Sequence, residues 1–174
     1  MKSHFRFHLK YYLSGFILVA GFTEALKFSC CELRPHFFYT CLPDMSKINC
    51  SDGYITNFNC TGEGPEWLVE RDIYKSFPSG HASFSFYSFV FMSVYIVSRM
   101  RHASKSLVNS ACSRGIPILC LVWTLACCIT RILDNRHFWW DVLSGVVIGL
   151  VGGLVTVFAC LKASAEKKPA SKNS

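Results

Sequence analysis

His137 and Asp141 stand four residues apart in the stretch 130–141, TRILDNRHFWWD. If the apolar run behind them begins a helix, that spacing puts both side chains on one face. A carboxylate so placed accepts one ring N–H of the imidazole, fixes its tautomer and raises the basicity of the other nitrogen. Those are the requirements of a nucleophile or a general base. Arg131, six residues ahead of His137, adds a permanent charge on a planar fork suited to the oxygens of an oxyanion. Charges capping two membrane helices would look similar in isolation, so the reading depends on what else the chain supplies.

A second group supplies part of it. Phe77-Pro78-Ser79-Gly80-His81 lies directly before a long apolar run. Proline and glycine mark a tight turn into a helix, whose free N–H groups and positive dipole end suit a phosphate. Ser79 adds a hydroxyl, and His81 stands at the mouth as a proton donor. A helix cap with an interfacial histidine would give the same letters. A third group is Lys27 with Arg34-Pro35: two cations, the second set on a turn by the proline.

The elements that must position these groups are apolar. Of the 174 residues 51% are hydrophobic, gathered into blocks that predict membrane spans at about 11–26, 82–98, 115–130 and 142–161. The last meets the length of roughly 20 residues that a bilayer demands; the others borrow flanking residues. The block FSFYSFVFMSVYIV has no charged face, unlike a helix on the surface of a soluble protein. Basic residues precede the first block (Lys2, Arg6, Lys10), fill the connector between the second and third (Arg99, Arg101, Lys105, Arg114) and follow the fourth (Lys162, Lys167, Lys168, Lys172). By the positive-inside rule those segments are cytoplasmic, including the tail 162–174. The net charge of +7 thus reflects topology and not nucleic-acid binding. The loop 27–81 and the turn 131–141 then share the lumenal or extracellular face. In that loop Asn49 and Asn59 match the N-glycosylation pattern. Cys41, Cys50 and Cys60 offer a disulfide with one cysteine left over, the pairing undetermined. No span carries a mid-membrane charge, which argues against a channel or transporter.

Lys27-x6-Arg34-Pro35, Pro78-Ser79-Gly80-His81 and Thr130-Arg131-x5-His137-x3-Asp141, in this order and on one side of a membrane, resemble the three-part signature of the type 2 phosphatidic acid phosphatase superfamily. RPHF, SKINCSDGYI and SGHASFSFYS narrow the resemblance to the animal lipid phosphate phosphatases, over residues 11–161. The resemblance implies an all-α, single-domain membrane bundle over 1–174, a four-span part of the six-span haloperoxidase-like core beginning at what would be the third span. It implies a phosphatase acting on phosphatidate, lysophosphatidate or sphingosine 1-phosphate in the plasma membrane or endoplasmic reticulum. His137 would be the nucleophile, Asp141 its orienting carboxylate and His81 the acid for the leaving alkoxide. Lys27, Arg34 and Arg131, with Ser79 and the Gly80 amide, would hold the phosphate. No metal or other cofactor is expected, because the motifs bring cations and no acidic cluster suited to magnesium. The family's serine is Thr130 here, and its usual Gly-Arg is Cys31-Glu32, which puts a negative charge close to the proposed phosphate site. The alternative is a truncated, non-catalytic member that binds lipid phosphates or associates with full-length relatives. Assembly with itself or with relatives is compatible with either reading.

Overall fold

The computed structural model describes residues 2–48, 58–102 and 107–167. Four long helices dominate it: α1 (Lys2–Cys30), α3 (Gly80–His102), α4 (Leu107–Leu133) and α5 (Trp139–Glu166). A short helix α2 (Phe37–Cys41) and single turns at Met45–Lys47, Trp67–Arg71 and Asp72–Tyr74 lie in the loop between α1 and α3. All four long helices are long and apolar enough to cross a membrane, and the chain is an all-α membrane bundle. Each outruns the apolar block that announces it. The block 11–26, for example, sits inside a helix that begins at Lys2 and ends at Cys30. Polar residues at the ends continue the backbone ladder through the headgroup zone, where hydropathy no longer marks them.

The packing surfaces are inverted relative to a soluble protein. Ile17, Leu18, Val122, Trp123, Val155 and Phe158 are all more than half exposed, as lipid-facing side chains must be. Between helices the contacts are made by small residues, because lipid is as apolar as leucine and offers no hydrophobic drive to associate. Gly145, Gly149 and Gly153, one turn apart on α5, face α3. A Cβ on Gly145 would strike the Ser79 carbonyl oxygen, and one on Gly149 the Ser83 carbonyl oxygen. On Gly153 it would lie 2.8 Å from the Val90 Cβ. α1 docks through Gly15, whose missing Cβ makes room for the Tyr87 hydroxyl and Thr156, and against Gly152 through Val19. Interhelical hydrogen bonds fix its register: Tyr87 Oη donates to the Tyr12 carbonyl at 2.7 Å, and Tyr12 Oη meets Ser88 Oγ at 2.9 Å. α4 packs chiefly on α3. The central helix is therefore α3, and the close approach of α5 sets the start of α3 beside the start of α5.

The loop above that end is a folded pad. Phe37, Cys41 and Ile73 form its buried centre, flanked by Leu33, Phe58 and Tyr74. Cys41 is bonded to Cys60, and the Thr61 and Gly62 amides both donate to the Cys41 carbonyl at 2.9 Å. This resolves the pairing the sequence leaves open; Cys50 and the Asn49 sequon lie outside the described residues. Asn59 is exposed. α1 ends on Cys31, which takes a left-handed conformation with φ 45°. That is the helix-terminating position where glycine is usual.

Candidate active site

His137 and Asp141 flank the start of α5, beneath the pad. His137 is 3% exposed and Asp141 fully buried. The His137 Nδ1 lies 2.7 Å from the Ser76 carbonyl oxygen and 3.6 Å from Asp141 Oδ2. A carbonyl oxygen only accepts, so Nδ1 carries a proton, and in the neutral ring the lone pair is on Nε2. The expected direct carboxylate–imidazole hydrogen bond is thus replaced by a relay through Ser76. Its hydroxyl donates to Asp141 Oδ2 at 2.6 Å, while its carbonyl receives the ring. The physical reason lies in the helix start. Asp141 is the third residue of α5, and Oδ2 also accepts the Phe138 amide at 2.9 Å, closing the first turn. Asp141 Oδ1 is buried without a hydrogen-bond partner.

The Phe77–Pro78–Ser79 turn is fastened to the same place. The Ser79 amide donates to the Asp141 carbonyl at 3.0 Å. Its fully buried hydroxyl caps α3, 3.5 Å from the Ala82 amide. α3 opens at Gly80, which faces Lys27: a Cβ there would stand 3.2 Å from the Lys27 Nζ. Lys27 itself pairs with Glu24 at 2.9 Å. His81 lies within electrostatic reach of Arg131, His137, Lys27 and Arg34. Arg131 reaches Asp134 with one Nη at 3.1 Å, and its buried Nε has no hydrogen-bond partner. Thr130 does not join them; its hydroxyl turns back to the Cys127 carbonyl.

Arg34 is more constrained than a freely offered phosphate ligand. It is 8% exposed and donates from Nε to the Asp72 carbonyl at 2.8 Å, from Nη1 to the Arg136 carbonyl at 2.9 Å and from Nη2 to Asp72 Oδ1 at 2.9 Å. Two of its five N–H groups remain. Asp72 Oδ2 takes Arg136 Nη2 at 2.8 Å, so one carboxylate holds two arginines. Arg136 Nη1 in turn points at His36 Nε2, 3.3 Å away. Burial, with the charges of Arg136 and Arg34, pushes the His36 pKa down. Burial, opposed by the Asp72 carboxylate, also lowers that of Arg34. Asp72, Ser76 and Arg136 are the site's supports that the motifs do not announce. Glu32 accepts Trp140 Nε1 at 3.0 Å. Burial raises its pKa against that hydrogen bond, and the neighbouring Asp141 charge adds to the rise.

The starts of α3 and α5 thus bring a buried histidine, bonded through Nδ1 to a carbonyl, together with a second histidine and fixed cations at one end of a membrane bundle. The PAP2 superfamily model matches residues 8–163, and the chain belongs to that superfamily. Phospholipid phosphatase 1 of Rattus norvegicus is 40% identical over 146 residues, covering 84% of this chain and 49% of the rat protein. A putative phosphatidate phosphatase of Drosophila melanogaster is 33% identical over 83% of this chain and 38% of its own length. Phospholipid phosphatase 2 of Rattus norvegicus is 32% identical over 84% of this chain and 50% of its own. The chain spans about half the length, or less, of these curated relatives. No solved structure matches it.

Proposed function

We propose that this chain is an integral-membrane lipid phosphate phosphatase. Its substrates are phosphomonoesters such as phosphatidate, lysophosphatidate or sphingosine 1-phosphate, taken at the lumenal or extracellular face. The observation that carries the reading is the His137 ring, whose Nδ1–H is held by the Ser76 carbonyl so that Nε2 presents a lone pair. Nε2 attacks phosphorus, the bond to the lipid oxygen breaks, and the departing alkoxide takes a proton from His81. Water then attacks the phosphohistidine and gives a proton to His81, the P–N bond breaks, and inorganic phosphate leaves with both histidines restored. Lys27, Arg131 and the two spare N–H groups of Arg34 balance the charge on the equatorial oxygens, helped by the amide of Gly80 at the start of α3. With that much positive charge already fixed in place, the reaction is expected to need no metal. The Cys41–Cys60 bond supports the assignment of the pad to an oxidising compartment.

The test is phosphate release from phosphatidate by the purified chain in detergent with EDTA present. Release is expected from the wild type, blocked by vanadate and reduced by at least ~10³-fold in His137→Ala. Persistent turnover in that variant removes His137 from the role of nucleophile. The engagement of Arg34 by Asp72 and Arg136 favours a second reading, a non-catalytic member that binds lipid phosphates or pairs with full-length relatives. Absence of release together with co-purification of a relative would select it.

A further inference from the structure

Below His81 the facing surfaces of α3 and α4 leave a groove of about 600 Å³. Phe84, Phe89 and Met92 wall it on α3, and Leu119, Trp123 and Cys127 on α4. It opens outward toward lipid, since Leu119 is 69% and Trp123 76% exposed. From His81 to Met92 the groove follows α3 for about 16 Å of helix rise. Its head is the site. His81 lines the groove and also lies under the field of Arg131, Lys27 and Arg34. The two walls end in site residues: α3 begins at Gly80–His81, and α4 carries Arg131 in its last turn. One path therefore leads from fixed cations, past a proton donor, into an apolar trough at bilayer depth.

A lipid phosphomonoester has the same order of parts: an anionic head, an ester oxygen and a hydrocarbon. We propose that the α3–α4 groove holds the hydrocarbon of the leaving alcohol, with the ester oxygen at His81. This rests on the phosphatase reading above and adds to it the place and direction of the lipid. A phosphomonoester dianion suits the three cations at the groove's head. A phosphatidylcholine, with one phosphate charge fewer and a quaternary ammonium beyond it, does not. Occupancy of the groove is thus specific to the headgroup, although the groove itself touches only the chain.

The experiment uses the full chain in nanodiscs with phosphatidate bearing a diazirine on its acyl chain, irradiated and mapped by mass spectrometry. Phosphatidylcholine with the same labelled chain serves as the comparison. Adducts on the groove residues of α3 and α4, displaced by unlabelled phosphatidate and not by phosphatidylcholine, are the expected result. Equal, undisplaced labelling by both lipids would mean bulk lipid in the groove, and displaceable labelling confined to the outer faces of α1 or α5 would place the chain elsewhere; either overturns the proposal. A turnover arm is independent of the labelling. Cys120→Phe, which narrows the groove, should lower the ratio of long-chain to short-chain phosphatidate hydrolysis about tenfold. An unchanged ratio counts against the groove. Failure of the wild type to release phosphate from either substrate would instead sink the phosphatase reading, while the labelling still decides where the lipid lies.

Discussion

Ser76 does two jobs with one residue. Its carbonyl fixes the proton on His137 Nδ1, and its hydroxyl holds the carboxylate of Asp141. Substitution by alanine keeps the first contact and removes the second, leaving a buried carboxylate with only the Phe138 amide on Oδ2. A hydrogen bond to a charged group contributes about 1.5–3 kcal/mol. Ser76→Ala is therefore expected to lower kcat between about tenfold and a hundredfold with KM little changed, measured on phosphatidate in mixed micelles. An unchanged kcat would show that Asp141 needs no such support. This residue also marks the limit of reading the sequence. His81, Arg131, His137 and Asp141 are legible because side-chain chemistry at fixed spacing is what a motif records. Ser76 works largely through a backbone carbonyl, which every residue type carries. Its only signal was its place two residues before Pro78. Asp72 is equally silent, one of several acids in its loop, 38 positions from the arginine it grips.

At the scale of elements, two junctions set the site. The first is the end of α1. Cys31 occupies a left-handed conformation, φ 45°, which costs a residue with a Cβ roughly 1–2 kcal/mol relative to glycine. Cys31→Gly is expected to raise the thermal midpoint of the detergent-solubilised protein by a few degrees without altering phosphate release. A lower midpoint would mean that the Cys31 side chain itself contributes, as its thiol contact with the Phe28 carbonyl would allow. The departure from the family's glycine is visible in the sequence, whereas the backbone conformation that gives it meaning is not. The second junction ties the pad to the turn before α5, through His36, Arg136, Asp72 and Arg34. His36 is held neutral there, its pKa depressed by burial and by the two arginines. In the unfolded chain it titrates near 6.5 and binds a proton that the folded state refuses. The clamp's contribution is thus complete above roughly pH 6.5 and declines as the pH falls below it toward the folded-state value. Stability measured between pH 7.5 and 5.5 should drop more steeply for the wild type than for His36→Gln, which keeps an acceptor and loses the titration. Parallel slopes would remove His36 from the pH response.

Over the whole molecule, a ladder of small residues does what hydrophobic burial does in a soluble enzyme. Gly145, Gly149 and Gly153 let α5 lie against α3, so that the two motif-bearing helix starts meet. The number of long helices and their apolar character were readable from the four blocks. The closeness of α5 to α3 was less so, because glycines four apart in an apolar run mark a contact face without naming the partner helix. The disulfide partners needed the fold as well, since three loop cysteines allow three pairings. On the proposed mechanism the assembled site transfers the phosphoryl group to one nitrogen of one residue. The direct measurement is to quench turnover of ³²P-labelled phosphatidate in alkali and map the labelled peptide. An acid-labile phosphoryl group is expected on Nε2 of His137, absent when His81 alone remains. Label on any other residue, or steady turnover with no phosphoenzyme under rapid quench, would contradict it.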